Sequence, residues 1–437
     1  MTWLQLYQLR HYLGNSIWIL PVLGALVAIA AIRVLHATET EMGWVATLDP
    51  DTARAVLGTL ASALFTSIIF VCTALLVAVQ LASAALSPRI IGIVFRDPVT
   101  KSSLTLLAFT FTFSLSALLR IKTSVPLLTV QTAVYANLFC LAAFLYLIDH
   151  MGKALRPSGA LRSVASQARA VIDNVYPHRL ANGSSGPDSA APEQTNGSVA
   201  AHHLEGEPIA AIPSPADGVV LAFDEAGLLA LAQKADCLIA MVPQVGDHVA
   251  SGDPLFRIYQ GRSVPPEGAL CDSVAIGQER TLEQDPTFAF RIMVDIANKG
   301  LSPAINDPTT AVLALDSIHS LLRVVGKRRL HDGLVKDPAG RLRLVYRTPD
   351  WKDFVCLAVT EIRHFGGASI QIARRLRAML ENLIQTLPET RAPLLRQELA
   401  LLHRSAERFF VEPEDRALAE ISDFQGVGGT HEPSHSR

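Results

Sequence analysis

The chain has 437 residues and a formal net charge of −2 at pH 7; half of its residues are hydrophobic and 18% are charged. Soluble domains usually carry about 25% charged residues, so the composition excludes an ordinary soluble protein along the whole length. A nearly neutral chain creates no global field that attracts nucleic acid, so we expect no nucleic-acid partner.

The first third of the chain predicts four transmembrane helices. Val56–Leu86 carries no Asp, Glu, Lys or Arg. It is considerably longer than the stretch of roughly 20 apolar residues that a helix needs to cross a bilayer. A helix that is apolar on every side at this length does not suit a soluble core. The other predicted spans are Ile17–Leu35, Ser102–Leu119 and Val125–Ile148.

The charges between the spans predict the orientation. The loop after the first span is acidic, whereas Arg89, Arg96 and Lys101 follow the second span and further cations follow the fourth. Loops rich in Lys and Arg lie on the cytoplasmic side. We therefore expect both termini in the cytoplasm. Only the short loop with Arg120 and Lys122 departs from this pattern.

The end of the second span is rich in small residues and contains one amide. Small residues let helices approach closely, and a Gln in lipid seeks a partner helix. One explanation is packing within the four-helix part, and the other is a face that lines a pore or forms an oligomer. The residues of this face are Gln80, Ala82, Ser83 and Ala85.

The sequence SPRIIGIVFRDP after the second span predicts a short helix at the membrane interface. Basic side chains of such a helix contact headgroups, and its apolar side chains enter the lipid. We expect Arg89 and Arg96 to contact headgroups. The side chains expected in lipid are Ile90, Ile91, Val94 and Phe95.

Three motifs resemble those of a known family. They are VAVQLASAALSPRIIGIVFRDP, NKGLSPAINDPTTA and ISDFQGVGG. Together they resemble the DUF2254 family of uncharacterised bacterial integral membrane proteins over nearly the whole chain. The resemblance implies a polytopic protein of the bacterial inner membrane with a cytosolic C-terminal region, and it implies no activity. Pro177–Pro208 is longer and lower in complexity than the resemblance implies.

The predicted fold is a membrane α-helical N-terminal part with four transmembrane helices, followed by a cytosolic α+β region. The cytosolic region combines a small barrel-sandwich-like β module with a helical bundle. A segment rich in Gly, Ser, Pro and Asn lies between the connecting helix that follows the membrane part and the β module, and it is expected to be a flexible linker. The predicted parts are the membrane domain 1–152, a connecting helix 153–176, the linker 177–208, the β module 209–262, the helical domain 281–422 and a polar tail 423–437.

The β module resembles the biotinyl and lipoyl carrier domains. Its GDHVASGDPL pattern places Gly-Asp turns between short strands. In those carriers the modified lysine lies at a hairpin tip, whereas Lys234 lies inside the helix-like AGLLALAQKADC. We therefore expect a structural or docking module without a prosthetic group.

Two Asp-Pro-Thr motifs, at Asp285 and Asp307, predict helix starts in the C-terminal half. Asp is a favoured N-cap, and Pro suits the first helical turn. Capping alone accounts for Asp307. The alternative is that Ser302, Pro303, Asn306 and Asp307 form a rigid loop that holds an anion or docks a partner.

A basic cluster follows the second of these helices. Lys327, Arg328 and Arg329 are consecutive. A basic run on a protein surface is usually solvated, and in a protein held at a membrane it is also suited to contact anionic headgroups.

The sequence contains no motif of a known enzyme class. G-x-S-x-G, H-E-x-x-H and Walker patterns are missing, and the five cysteines lack metal-ligand spacing. We expect no enzyme, no metal and no cofactor. Two hypotheses remain: an oligomeric channel or transport-like protein with a cytosolic regulatory domain, or a membrane-anchored binding or scaffold protein without transport. The lipid bilayer is a partner in both, and a homo-oligomer belongs to the first.

Overall fold

The computed structural model describes residues 2–42, 45–46, 49–90, 92, 96–121, 125–154, 156–180, 204 and 206–423. The chain divides into two compact units, Leu9–Ala160 and Leu161–Arg437, the second grouped with Met1–Gln8. Most of the predicted linker and the polar tail lie outside the described residues.

The unit Leu9–Ala160 contains four long helices that correspond to the four predicted spans. Each is long and apolar enough to cross a membrane. Between them lie a 3-10 turn and two very short strands that pair antiparallel. The elements are α1 (Trp3–Asn15), α2 (Ile19–Met42), β1 (Val45–Ala46), α3 (Pro50–Ala85), the turn Pro88–Ile90, α4 (Pro98–Leu118), β2 (Val125–Pro126) and α5 (Leu127–Ala154).

Aspartate caps set the starts of α3 and α4. The Thr52 N–H donates to Asp49 Oδ2 at 3.0 Å, and the Thr100 N–H donates to Asp97 Oδ2 at 2.8 Å. A proline follows each aspartate, and both residue types favour helix initiation there. α3 therefore begins at Pro50, before the apolar run from which the span was predicted.

α2 and α4 approach closely at a glycine. A Cβ on Gly24 would lie 2.8 Å from Thr105 Cγ2 and 3.0 Å from the Thr105 carbonyl oxygen. Only a residue without a side chain permits this approach. The adjoining core buries Ile32, Leu57 and Phe113, while large apolar side chains cover the outer surface, as expected of helices that face lipid.

Several buried polar side chains of this unit bond to each other or to backbone. Glu39 accepts from the Thr129 N–H at 2.9 Å and from its hydroxyl at 2.6 Å. The Asn137 side-chain amide donates to Ser114 Oγ at 2.9 Å and to the Ala133 carbonyl at 2.7 Å. Within lipid such groups must find protein partners, so these bonds suit a bundle in a membrane.

The second unit contains two sheets and two short helices among their strands. The elements are β3 (Ala210–Pro213), β4 (Gly218–Phe223), α7 (Glu225–Ala235), β5 (Leu238–Met241), β6 (His248–Val249), β7 (Pro254–Tyr259), α8 (Glu267–Cys271), β8 (Val274–Gly277), β9 (Leu334–Lys336) and β10 (Leu342–Val345), and they are preceded by the helix α6 (Pro157–Val175). One sheet has the order β3-β7-β5-β10-β9 and the other the order β6-β4-β8.

Two strands of the larger sheet come from the later part of the chain. β10 pairs in parallel with β5, with Leu344 opposite Ile239, and antiparallel with β9. Leu344 is fully buried in the same core as Ile239 and Phe256. The predicted β module 209–262 is thus completed by residues that lie among the helices of the predicted helical domain.

Helices make up the rest of this unit. Two of them begin at the predicted N-caps: Asp285 Oδ1 accepts from the Phe288 N–H at 3.0 Å, and Asp307 Oδ1 accepts from the Thr310 N–H at 3.1 Å, so both predicted caps are confirmed. The helices are α6 (Pro157–Val175), which begins before the unit boundary, α9 (Pro286–Gly300), α10 (Pro308–Val325), α11 (Trp351–Phe365), α12 (Ile370–Thr386), α13 (Ala392–Phe409) and α14 (Pro413–Ala419).

Candidate functional site

A cleft of about 870 Å³ opens in the second unit, between the sheets and the start of α9. Both charge signs and several aromatic rings line it. We call it the Tyr346 cleft. Its lining includes Phe223, Glu225, Asp285, Arg329, His331, Tyr346 and Arg347.

Tyr346 stands at the centre of an aromatic cluster in the cleft. Its ring lies edge-on to Phe223 with centroids 4.8 Å apart, and it stacks on His331 at 5.5 Å. The Tyr346 hydroxyl donates to Glu225 Oε2 at 2.8 Å. Burial, together with the negative charge of Glu225, raises the pKa of Tyr346. The hydroxyl therefore stays protonated at neutral pH and remains a hydrogen-bond donor.

A tight turn holds His331 against this ring. The Gly333 N–H donates to His331 Nδ1 at 2.8 Å, and the Tyr346 N–H donates to the Gly333 carbonyl at 3.0 Å. Because Nδ1 accepts, a neutral His331 carries its proton on Nε2. Gly333 has φ +74°, and a Cβ there would lie 1.9 Å from the Tyr346 carbonyl oxygen. Only glycine fits this position.

Another part of the wall is formed by Asp285 and Pro286 at the start of α9. Asp285 Oδ2 accepts from Arg280 Nε at 2.9 Å and from its Nη2 at 2.5 Å, and the guanidinium lies 5.2 Å from the centroid of the Phe288 ring. Nearby, burial raises the pKa of Tyr176 to about 12. The contacts among Arg280, Asp285 and Phe288 hold this polar part of the wall in place.

The cleft can recognise a ligand through hydrogen bonds, charge and aromatic contact. Arg329 and Arg347 offer donors to an anionic group, and Glu225 offers an acceptor. The rings of Tyr346 and His331 give a flat surface for a planar group. Among the described residues, no three His, Cys, Asp or Glu side chains lie close enough to hold a metal ion.

The residues of the predicted pore or packing face of α3 differ in their exposure. Gln80 is exposed, Ala82 is buried and Ser83 is half-buried. The side chain of Ala85 lies outside the described part of the chain. The assignment of this face to a pore or to packing stays a prediction.

The predicted loop at the start of α10 does not line the cleft. Asn306 has φ +47°, and its N–H donates to the Ser302 carbonyl at 2.8 Å. Asp307 accepts from the Thr310 hydroxyl at 2.6 Å as well as from its N–H, and these bonds lower the pKa of Asp307. Asp307 thus acts as a cap, and Pro303 is exposed beside it.

The predicted headgroup contacts separate into different environments. Arg89 is exposed, and Arg96 Nε donates to Asn15 Oδ1. Arg329 lines the Tyr346 cleft, whereas Lys327 and Arg328 line a second recess. The apolar residues expected to enter lipid (Ile90, Ile91, Val94 and Phe95) lie outside the described residues or have side chains that do.

Of the residues of the Tyr346 cleft, the sequence points to Asp285 as a helix cap and to Arg329 in a basic run, but not to the pair at its centre. Glu225 and Tyr346 are far apart in the chain, and neither belongs to a motif. The segment LRLVY, which ends at Tyr346, has the composition of a strand, but the sequence does not tell which strand lies beside it.

The comparisons with known proteins agree on the class of the chain. A family model described as a predicted membrane protein (DUF2254) matches residues 14–382. The uncharacterized protein Mb1321c of Mycobacterium bovis is 26% identical over 430 residues, which cover 93% of this chain and 79% of the relative. The uncharacterized protein Rv1290c of Mycobacterium tuberculosis has the same identity and coverage. No solved structure matches the chain.

Proposed function

Because the chain belongs to the DUF2254 family of predicted membrane proteins, we propose that it is a membrane-anchored binding protein. In this proposal α2–α5 cross the bacterial inner membrane with both termini in the cytoplasm. The part from Leu161 onward then binds a small polar ligand in the Tyr346 cleft. The proposal assigns the protein no catalytic activity.

The Tyr346 cleft is the observation that carries this proposal. Its volume of about 870 Å³ falls in the range of roughly 300–1,000 Å³ that is usual for small-molecule sites. Its aromatic cluster lies beside charged groups of both signs, which favours a planar ligand that carries charge. A domain that served only as scaffold would not need such a cleft.

The β module supports a docking role in the same proposal. Its antiparallel pairs β3–β7, β5–β7 and β4–β8 are compatible with the barrel-sandwich architecture predicted from the sequence. That architecture stays part of the proposal.

Retention of small molecules tests the binding role. The full chain in nanodiscs would be incubated with a small-molecule extract of bacterial cells and washed, and the released molecules measured by mass spectrometry. We expect wild type and His403→Ala, which changes an exposed histidine outside the cleft, to retain the same compound. His331→Ala should lose it. Retention no greater than that of empty nanodiscs, or equal retention by His331→Ala, would refute the proposal.

An oligomeric channel with a cytosolic regulatory domain is the second candidate, and the length of α3 favours it. Its 36 residues span about 54 Å, against a hydrocarbon core of about 30 Å. Gln80 is exposed near its end. However, exposed hydroxyls on α3 bond to their own helix, such as Thr66 to the Ser62 carbonyl at 3.0 Å, so this surface also suits lipid.

The mass of the protein in nanodiscs and ion flux from liposomes distinguish the two candidates. A channel lined by α3 requires several copies, because one small helix bundle with a packed interior encloses no path. A monomer without flux would eliminate the channel and leave the binding role. A ring that conducts ions would favour the channel.

A further inference from the structure

A second recess of the unit from Leu161 onward is lined by cationic side chains. It has a volume of about 620 Å³ and lies between α6, the residues that follow α6, and the C-terminal end of α10. We call it the basic groove. Its cations are Arg169, Arg179, Arg323, Lys327 and Arg328.

Backbone hydrogen bonds bring these cations together. The Leu180 N–H donates to the Lys327 carbonyl at 2.9 Å, and the Arg329 N–H donates to the His178 carbonyl at 2.9 Å. A β-bridge accordingly pairs the backbone of residue 179 with that of residue 328. Two segments far apart in sequence are thus fixed side by side, so the basic groove is a property of the fold.

Both carboxylates of the basic groove already form ion pairs with arginine side chains. Asp173 accepts from Arg328, which also donates to the Pro177 carbonyl at 3.0 Å. Asp316 pairs with Arg375, whose side chain is almost fully buried. Counting Arg375, six cationic side chains face two carboxylates, which leaves an excess of four positive charges.

Three cations of the basic groove are available to a ligand. Arg179, Arg323 and Lys327 form no side-chain hydrogen bond or ion pair with another described residue. Arg169 donates to the Ser320 hydroxyl. His319 lies among them, and burial lowers its pKa, so it is neutral at pH 7 and does not offset the excess.

The end of α10 does not balance this charge. A helix C-terminus corresponds to about half a negative charge. Its last carbonyls are also occupied, since the Leu322 oxygen accepts from the Gly326 N–H at 2.8 Å and the Val325 oxygen accepts from the Arg328 N–H at 2.8 Å. An excess of four positive charges gathered in one recess therefore calls for an anion from outside the chain.

We propose that the basic groove is a second binding site, which takes a phosphate-bearing anion through Arg179, Arg323 and Lys327. The planar guanidinium group matches phosphate oxygens in pairs, and an ammonium adds a mobile donor. The phosphate belongs to an anionic lipid headgroup or to a soluble phosphate ester. This site is separate from the Tyr346 cleft and does not depend on the function proposed for that cleft.

Calorimetric titration of the full chain with inorganic tripolyphosphate tests the site. In phosphatidylcholine nanodiscs at low salt we expect saturable binding. The triple variant R179A/R323A/K327A should bind about a thousandfold more weakly, because each of the three charge-assisted contacts is worth roughly tenfold. The matched control R162A/K234A/R408A removes three exposed cations outside the basic groove and should bind nearly as wild type does.

Nanodiscs that also contain phosphatidylglycerol identify the source of the phosphate. Unchanged tripolyphosphate binding supports a soluble phosphate ester, and competition by phosphatidylglycerol, in wild type only, supports a lipid headgroup. Absence of binding in phosphatidylcholine, or equal weakening by the two triple variants, overturns the proposal. If the triple variant does not fold, the single substitution R323Q should still weaken binding about tenfold, and unchanged affinity there is equally decisive.

Discussion

Arg363 and Glu398 form a buried ion pair between α11 and α13, and the two facing atoms are too far apart for a hydrogen bond. Arg363 Nε and Glu398 Oε2 lie 3.6 Å apart, and the side chains are 7% and 6% exposed. Arg363 Nη1 reaches Ser405 Oγ at 3.3 Å, but Nε and Oε2 have no hydrogen-bond partner among the described residues. The attraction of the pair therefore offsets only part of the free-energy cost of removing both charges from water.

Removing one partner should cost far more than removing both. Glu398→Leu leaves a guanidinium that cannot lose its proton, so we expect a loss of about 3–5 kcal/mol in the free energy of unfolding. Arg363→Met should cost less, because Glu398 can take up a proton. The double variant, with two apolar side chains of similar size, should be near neutral or gain about 1–4 kcal/mol.

The pH dependence gives a second check on the same pair. Burial raises the pKa of Glu398, although Arg363 opposes the shift. The folded chain therefore binds this proton more readily than the unfolded chain does. Stability from this group is greatest at low pH and falls as the pH rises from about 4.3, the unfolded pKa, through the raised folded pKa. Glu398→Gln should remove the contribution of this group to the change of the free energy of unfolding with pH.

Urea unfolding of the full chain in nanodiscs measures these effects. Trp351 lies on α11 and is 5% exposed, so its fluorescence reports on the same bundle once Trp3, Trp18 and Trp44 are changed to Phe. A double variant less stable than both single variants would show that the native pair stabilises the fold, and it would refute the reasoning.

An exposed ion pair serves as the matched control for the single and double variants of Arg363 and Glu398. Arg396 and Glu389 approach to 2.8 Å with side chains that are 53% and 75% exposed. The corresponding substitutions there should change the free energy of unfolding by less than about 1 kcal/mol.

Three further predictions concern other contacts. Tyr346→Phe removes the hydroxyl bond to Glu225 and should lower the unfolding free energy by about 1 kcal/mol in urea titration; no change would mean that water replaces the bond without loss. Glu39→Ala leaves the Thr129 N–H and hydroxyl without their acceptor and should cost about 1–2 kcal/mol, measured as a lower thermal midpoint in nanodiscs. Gly333→Ala forces a Cβ against the Tyr346 carbonyl at positive φ and should cost more than about 1 kcal/mol, with faster amide exchange at residue 346; a native exchange rate would contradict the proposed turn geometry.

The features predicted correctly from the sequence are those fixed by local chemistry. Continuous apolar composition is sufficient to predict the four long helices of the first unit, because any segment that crosses lipid must be apolar throughout. The caps at Asp285 and Asp307 are equally local, since each carboxylate bonds within the following turn. α3 begins before the uncharged run that predicts it, because its first turns contain Pro50 and Arg54.

The features missed are those that depend on distant partners. The composition of LRLVY after Arg341 favours a strand, but the parallel pairing of this strand with β5 does not follow from the sequence, because one short strand fits many neighbours. The Tyr346 cleft follows from that pairing, which carries Tyr346 to Phe223 and Glu225. The basic groove likewise depends on the pairing of residues 179 and 328, although Lys327 and Arg328 stand out in the sequence as part of a basic run.

The parallel pairing of β10 with β5 also bears on how the chain is made. Ala240 lies opposite Val345, so β5 leaves the ribosome about 5–20 s before its partner at typical rates of synthesis. During that interval one edge of an apolar strand has no partner, and such edges recruit other chains. Nascent or truncated chains that end before β10 should therefore need a chaperone to cover this edge, and slower translation should lengthen the period of risk.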